Sequence, residues 1–251
     1  GPDAFCRDAE CAVGESILKG DYEDAVVAYV GRAYPRESEE AQLARTHFAG
    51  TRNARSALAE LPVWMTYERA MANHLVANPG DYAGALRALP PKLLSLLVSA
   101  FQSYLFNCAL SSRLEAGLPL SEPEVGDRLL FSNGREDIVS ARNRQAALLQ
   151  IRRGRIALFI PGSEPVAPRG PMDEILQELM RKHGIDAGDF ARASRFVGAA
   201  FSGVLRPIAL FADVQADVSG TDVRLRFTLP PGHYATTVCR EYMKADPYVM
   251  V

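Results

Sequence analysis

Cysteine, tryptophan and excess positive charge are all scarce in this 251-residue chain, and each scarcity excludes something. Its four cysteines, Cys6, Cys11, Cys108 and Cys239, form no C-x-x-C pair, and the Cys6–Cys11 spacing has no partner pair downstream. That pattern argues against a zinc site and a disulfide framework, and suits free thiols in a reducing cytosol. The formal net charge is −2 and the pI is near 6.1, so the bulk basic excess that favours non-specific phosphate binding is missing. No apolar run approaches the roughly 20 residues that span a bilayer, and no signal-peptide pattern opens the chain. A cytoplasmic chain without a membrane partner is expected. What remains is an ordinary globular composition, 48% hydrophobic and 23% charged, enough for one large or two modest domains.

Charge is uneven along that length. The first third is acid-rich, with Asp21, Glu23, Asp24, Glu37, Glu39 and Glu40, whereas Arg135, Arg142, Arg144, Arg152, Arg153 and Arg155 fall together beside only Glu136 and Asp137. The arginine-rich stretch either meets an RNA backbone or is a solvated face.

The first half reads as helical. Val13 to Val30 carries an apolar side, and shorter helical runs follow at Glu37–Phe48, Arg52–Leu61, Trp64–Ala77 and Tyr82–Ala88, separated by Gly50, Pro62, Pro79-Gly80 and Pro90-Pro91. Lys92–Glu115 is the longest, with Leu94, Leu97, Phe101, Leu105 and Cys108 at helical spacing and Ser103, Asn107 and Ser111 on a polar row. Its wide apolar side predicts the central helix of a core. On that helix Gln102 and Asn107 either orient a substrate or make buried structural hydrogen bonds. From Gly117 onward short apolar runs such as Arg128–Phe131 and Ile156–Ile160 predict strands around helical stretches at Ala141–Ile151 and Met172–His183.

The last thirty residues are the most informative. Val214, Ala216 and Val218 alternate with polar residues, as do Val223, Leu225, Phe227 and Leu229, and Ser219-Gly220-Thr221 between them is turn chemistry. The pattern predicts an antiparallel hairpin. Pro230, Pro231 and Gly232 must end the second strand, and Tyr234 to Glu241 reads as a helix start, whose free N–H groups favour an anion.

The wording of this joint, LPPGHYATTVCRE from Leu229 to Glu241, resembles the carboxy-terminal motif of the TruD family of tRNA pseudouridine synthases, L-P-x-G-S-Y-A-T-x-x-L-R-E. Three further stretches resemble that family in the same order: VGESILKGDYEDAV from Val13, AFQSYLFNCALSSR from Ala100 and LPLSEPEVGDRLLF from Leu118. Gly203-Val204-Leu205-Arg206-Pro207 matches its G-x-x-R-P element. The resemblance covers roughly residues 13 to 251 and is closest to archaeal members. His233 stands where the family usually has Ser, and Cys239 where it has Leu.

Two family motifs are not in this sequence. The family's nucleophilic aspartate lies in a G-x-K-D segment, followed by N-x-F-G-x-Q-R-F-G, and neither occurs here. Residues 1 to 12 do not resemble the family's lead-in, and Gly1-Pro2 has the form of a tag-cleavage scar. The resemblance therefore implies an α+β chain in three parts: an unmatched lead-in at 1–12, a helix-rich inserted TRUD domain with short strands at 13–202, and at 203–251 the terminal strands and helix of a pseudouridine synthase catalytic domain. It implies isomerisation of a tRNA uridine, at position 13, to pseudouridine, with no metal or cofactor. It also implies that this chain alone is inactive, its catalytic residues being none and its partners tRNA and an amino-terminal catalytic segment. Enzymes that act on a base must take it out of the stack. Tyr234, Thr236, Arg240 and Glu241 lie in the matching motif and are expected to line that pocket, with Arg206 as a phosphate contact. An Arg240–Glu241 pair that only fixes the last helix is the alternative for those two. A non-catalytic RNA-binding module and an assembly protein reusing the fold also stay open.

Overall fold

The structure, a computed structural model, describes residues 9–149, 154–165, 167–209, 212–229 and 235–244. Seven helices come first: α1 (Ala9–Lys19), α2 (Tyr22–Gly31), α3 (Glu39–Thr51), α4 (Ala54–Glu60), α5 (Thr66–Ala77), α6 (Tyr82–Arg87) and α7 (Pro91–Glu115). The expected single helical stretch from Val13 to Val30 is two helices. Gly20 takes a left-handed φ of +76°, and the Asp21 carboxylate then accepts from the backbone N–H of Asp24 at 3.0 Å, capping α2.

The next elements are β1 (Arg128–Phe131), β2 (Glu136–Ile138), α8 (Arg144–Leu149), β3 (Gly154–Ile160), α9 (Pro171–Lys182), α10 (Ala187–Val197) and β4 (Val204–Pro207). The four strands form one antiparallel sheet in the order β2-β1-β3-β4. Beyond it lie β5 (Gln215–Ser219), β6 (Asp222–Arg226) and α11 (Ala235–Met243). Among the described residues β5 and β6 pair only with each other, Val218 opposite Val223 and Ala216 opposite Leu225. The chain is α+β, as expected.

Helix α7 is uncharged from Leu93 to Ser112 and is the one helix among the described residues long and apolar enough to cross a membrane. The expectation that no stretch reaches that length is thus corrected. Its apolar residues are nevertheless spent on protein. Leu94, Leu97, Val98, Phe101 and Leu105 belong to a helical core shared with α1, α2, α3, α5, α6 and α10. Phe106 and Ala109 face the other way, into a second core with Leu129, Ile156, Leu158 and Met172 from the sheet and α9. α7 is the spine common to both cores.

Two ion pairs fasten the sheet region, one to that spine and one to α9. Arg113 donates to both oxygens of Asp127 at 2.7 and 2.8 Å and to the Pro119 carbonyl. Arg128 makes a forked contact to Asp173 at the start of α9. The latter carboxylate also accepts from the backbone N–H of Arg169.

Candidate functional site

Where α7 passes the β3–β4 edge, the chain forms a groove of about 260 Å³. Its floor and one wall are Ser95, Ser99, Gln102 and Ser103 of α7, and the other wall runs from Ala200 to Arg206. Helical geometry aligns Ser95, Ser99 and Ser103, since residues four apart share a face. The opposite wall depends on glycine. Gly203 has φ +88°, and a Cβ there would lie 2.9 Å from the Ile160 carbonyl oxygen. A Cβ on Gly162 would lie 2.1 Å from Gly203 N. Only bare backbone lets 201–203 cross this closely and turn into β4.

The polar groups here have distinct duties. Gln102 is buried and its Nε2 donates to the Pro161 carbonyl at 2.7 Å, tying α7 to the end of β3. This bond fills the structural one of its two expected roles. Arg206 is exposed, with its guanidinium carbon 5.3 Å from the centroid of the buried Phe106 ring, an arrangement that holds the head group in place. Asn107 is half-buried on the next turn of α7 and does not line the groove.

The carboxy-terminal motif is placed separately. Thr236 and Glu241 are exposed on α11 and Arg240 is half-buried. Glu241 accepts from Lys244 Nζ at 2.6 Å, and that hydrogen bond, helped by the ammonium charge, holds its carboxyl below the usual value. Glu241 is ion-paired to Lys244, and the nearby charge of Arg240 acts on its carboxyl in the same direction. Tyr234 and the Pro230–His233 joint lie outside the described residues. No residue of α11 lines the groove, so Gln102 and Arg206 are brought together while Thr236, Arg240 and Glu241 form a second group.

The arginine-rich stretch also divides. Arg144 donates to Glu124 and to the Pro123 carbonyl, and Arg135 lies over Phe131. Arg152 and Arg153 are outside the described residues. A larger cavity of about 430 Å³, lined by Phe159, Pro161, Leu176, Met180 and Ile185, is apolar, and three of its charged members are engaged elsewhere. Asp173 holds Arg128, Arg181 pairs with Glu178 and Asp186 caps α10. Among the described residues no cluster of three His, Cys, Asp or Glu is placed to hold a metal.

Comparison with known proteins gives the framework for these groups. Residues 5–242 match the family model described as tRNA pseudouridine synthase D (TruD). The chain belongs to the TruD family. A Methanosarcina mazei protein bearing the description "Probable tRNA pseudouridine synthase D" is 33% identical over 257 residues, covering 95% of this chain and 58% of that protein. A Natronomonas pharaonis protein of the same description is 36% identical, covering 94% and 56%. The crystal structure of a TruD protein from M. mazei superposes with a TM-score of 0.84 at 31% identity, covering 99% of this chain and 61% of that one. The chain thus spans somewhat under three fifths of the length of the curated relatives it matches. Its relatives here are archaeal.

Sequence reasoning passed over Ser95, Ser99 and Ser202 as site residues. The signal was the four-residue spacing of the serines, which continues the polar row from Ser103 towards the helix start. Without the strand pairing that sets Arg206 opposite, a serine row reads as a solvated face.

Proposed function

We propose that this chain supplies the inserted domain and the carboxy-terminal part of the catalytic domain of a tRNA pseudouridine synthase that acts on uridine 13 and is inactive without a G-x-K-D segment. The division is 13–202 and 203–251, with β4 a strand of the second part that docks on the sheet of the first. The observation that carries the reading is the β5–β6 hairpin. Val218 and Val223, opposite each other on one face, are 72% and 61% exposed, and a two-stranded sheet is marginal by itself. Its outer edges, unpaired among the described residues, suit a catalytic sheet completed by further strands, and the exposed valines suit a layer that covers them.

In the reaction, an aspartate from that added segment attacks or assists at the sugar-base unit. The N1–C1′ glycosidic bond then breaks, the base turns, C5 bonds to C1′ as the aspartate is released, and the C5 proton is lost while N1 gains one. The target base must be flipped out, and Tyr234, Thr236, Arg240 and Glu241 are the groups this chain contributes to that pocket. Gln102, Asn107 and Arg206 serve the tRNA from the α7 side, Gln102 by fixing the groove wall.

The test is reconstitution. The chain is assayed for pseudouridine at position 13 of a tRNA transcript alone, and again with the G-x-K-D-bearing part of an archaeal relative. No product alone and product on addition is the expected result. Product from the chain alone would show that the nucleophile lies within it. Salt-sensitive tRNA binding with no product in either case would favour the non-catalytic RNA-binding module.

A further inference from the structure

Arg206, placed above on the tRNA side, sits in the α7–β4 groove beside serine hydroxyls that the proposed reaction does not use. We infer that the groove is a binding site for an RNA phosphodiester, with Arg206 supplying charge and Ser95, Ser99, Ser103 and Ser202 supplying hydroxyl donors. The inference rests on the reading of the chain as part of a tRNA-acting enzyme and adds a subsite to it.

Three observations carry it. First, among the described residues the lining holds one cation and four serines but no Asp or Glu, although acidic residues number 30 against 28 basic ones in the chain. A surface cleft free of carboxylates in a net-negative protein is selective for anions. Second, Arg206 has no carboxylate within ion-pair distance among the described residues, whereas Arg45, Arg113, Arg128, Arg144, Arg181 and Arg192 each do. Its charge is therefore available, and its stacking on Phe106 holds it before any ligand arrives. Third, the serine hydroxyls are uncommitted. Mid-helix hydroxyls commonly bond the carbonyl four residues back, as Thr46 does to Gln42 and Ser194 to Phe190. Ser95, Ser99 and Ser103 make no such bond to a described residue and sit half-buried along the groove.

The anion these groups fit is a phosphate rather than a carboxylate. A guanidinium fork with several hydroxyl donors around it satisfies the unesterified oxygens of a phosphodiester. Protein contacts to nucleic-acid backbones draw on Arg and Ser side chains in this way.

Two measurements test it with the full chain. In the first, labelled tRNA is titrated at several salt concentrations against wild type, Arg206→Ala and the double variant Ser99→Ala/Ser103→Ala. Arg206→Ala is expected to bind roughly tenfold more weakly and to lower the salt slope by about one. The serine double variant should lose affinity about threefold or more with its slope kept. Alanine is the better helix former, so that loss cannot come from unwinding α7. If Arg206→Ala keeps wild-type affinity and slope, the groove is not the site, although the family reading stands.

In the second measurement, the Arg206 Nε–Hε resonance is followed while the dinucleotide uridylyl-uridine or inorganic phosphate is added. A shift with the dinucleotide that is lost in the serine double variant supports the inference even if tRNA itself does not bind, a result that would count against the proposed function alone. No shift overturns the inference. An equal shift with inorganic phosphate at the same concentration overturns the assignment to RNA in favour of free phosphate.

Discussion

The Arg113 guanidinium is fully buried, and the Asp127 carboxylate it grips is 3% exposed. Taking either partner away leaves the other charged and unpaired in the interior, which costs about 3–5 kcal/mol. Arg113→Met should therefore lower the urea midpoint steeply, while Arg113→Met combined with Asp127→Leu should recover most of the loss. A double variant no more stable than the single one would show that the pair is held for more than mutual neutralisation. Glu15 makes a different prediction, about pH. Burial pushes its carboxyl up, but hydrogen bonds from His183 and Lys19 outweigh burial and hold it below the usual 4.5. A carboxyl lowered on folding stabilises the fold fully above its unfolded value. That contribution fades as the pH falls through the lowered one. Glu15→Gln should thus cost stability at pH 7 and converge on wild type in acid, as the pH falls through that lowered value. Urea midpoints of the two proteins across that range check the sign.

Among the elements, α1 crosses α7 at close range. A Cβ added at Gly14 would lie 2.2 Å from the Leu97 carbonyl oxygen and 3.1 Å from Phe101 Cβ. Because the obstacle is helix backbone, it cannot swing aside, and Gly14→Ala must push the helices apart at a cost of about 1–3 kcal/mol or more. The gain in helix propensity from Gly to Ala, about 1 kcal/mol, does not offset the upper part of that range. A thermal midpoint equal to wild type would mean that the helices can slide. This contact also shows what sequence patterns carry. The periodicity from Leu94 to Cys108 marks α7 as a core helix, and the alternation around Gly220 marks the hairpin, because both signals are local. Gly14 gives no local hint of its partner 83 residues away. β2 is equally silent, since Glu136-Asp137-Ile138 has no alternation and becomes a strand only by pairing with β1. The groove joins these cases. Arg206 and the serine row are each visible in the sequence, but their juxtaposition is made by β3–β4 pairing and by the close approach of Gly162 to Gly203.

At the scale of the whole molecule, the helical core and the sheet are closed by α7, whereas the hairpin leaves Val218 and Val223 exposed. Burying them is worth roughly 25 cal/mol per Å² of apolar area removed from water, a gain that association with the G-x-K-D-bearing segment would supply. Substituting Val218 and Val223 by Lys separates the chain's own stability from that association. Neither side chain is buried in the chain, so the stability of Val218→Lys/Val223→Lys should stay within about 0.5 kcal/mol of wild type. With the G-x-K-D-bearing segment present, the same variant should fail to assemble, because two ammonium groups would have to enter an apolar interface unpaired. Co-purification and pseudouridine yield measure the assembly, and the urea midpoint of the isolated chain measures the fold. A variant that reconstitutes as well as wild type would show that the catalytic sheet is completed elsewhere, on the edge of β4 or along α11. A variant that unfolds by itself would instead mean that the hairpin face is already covered within this chain.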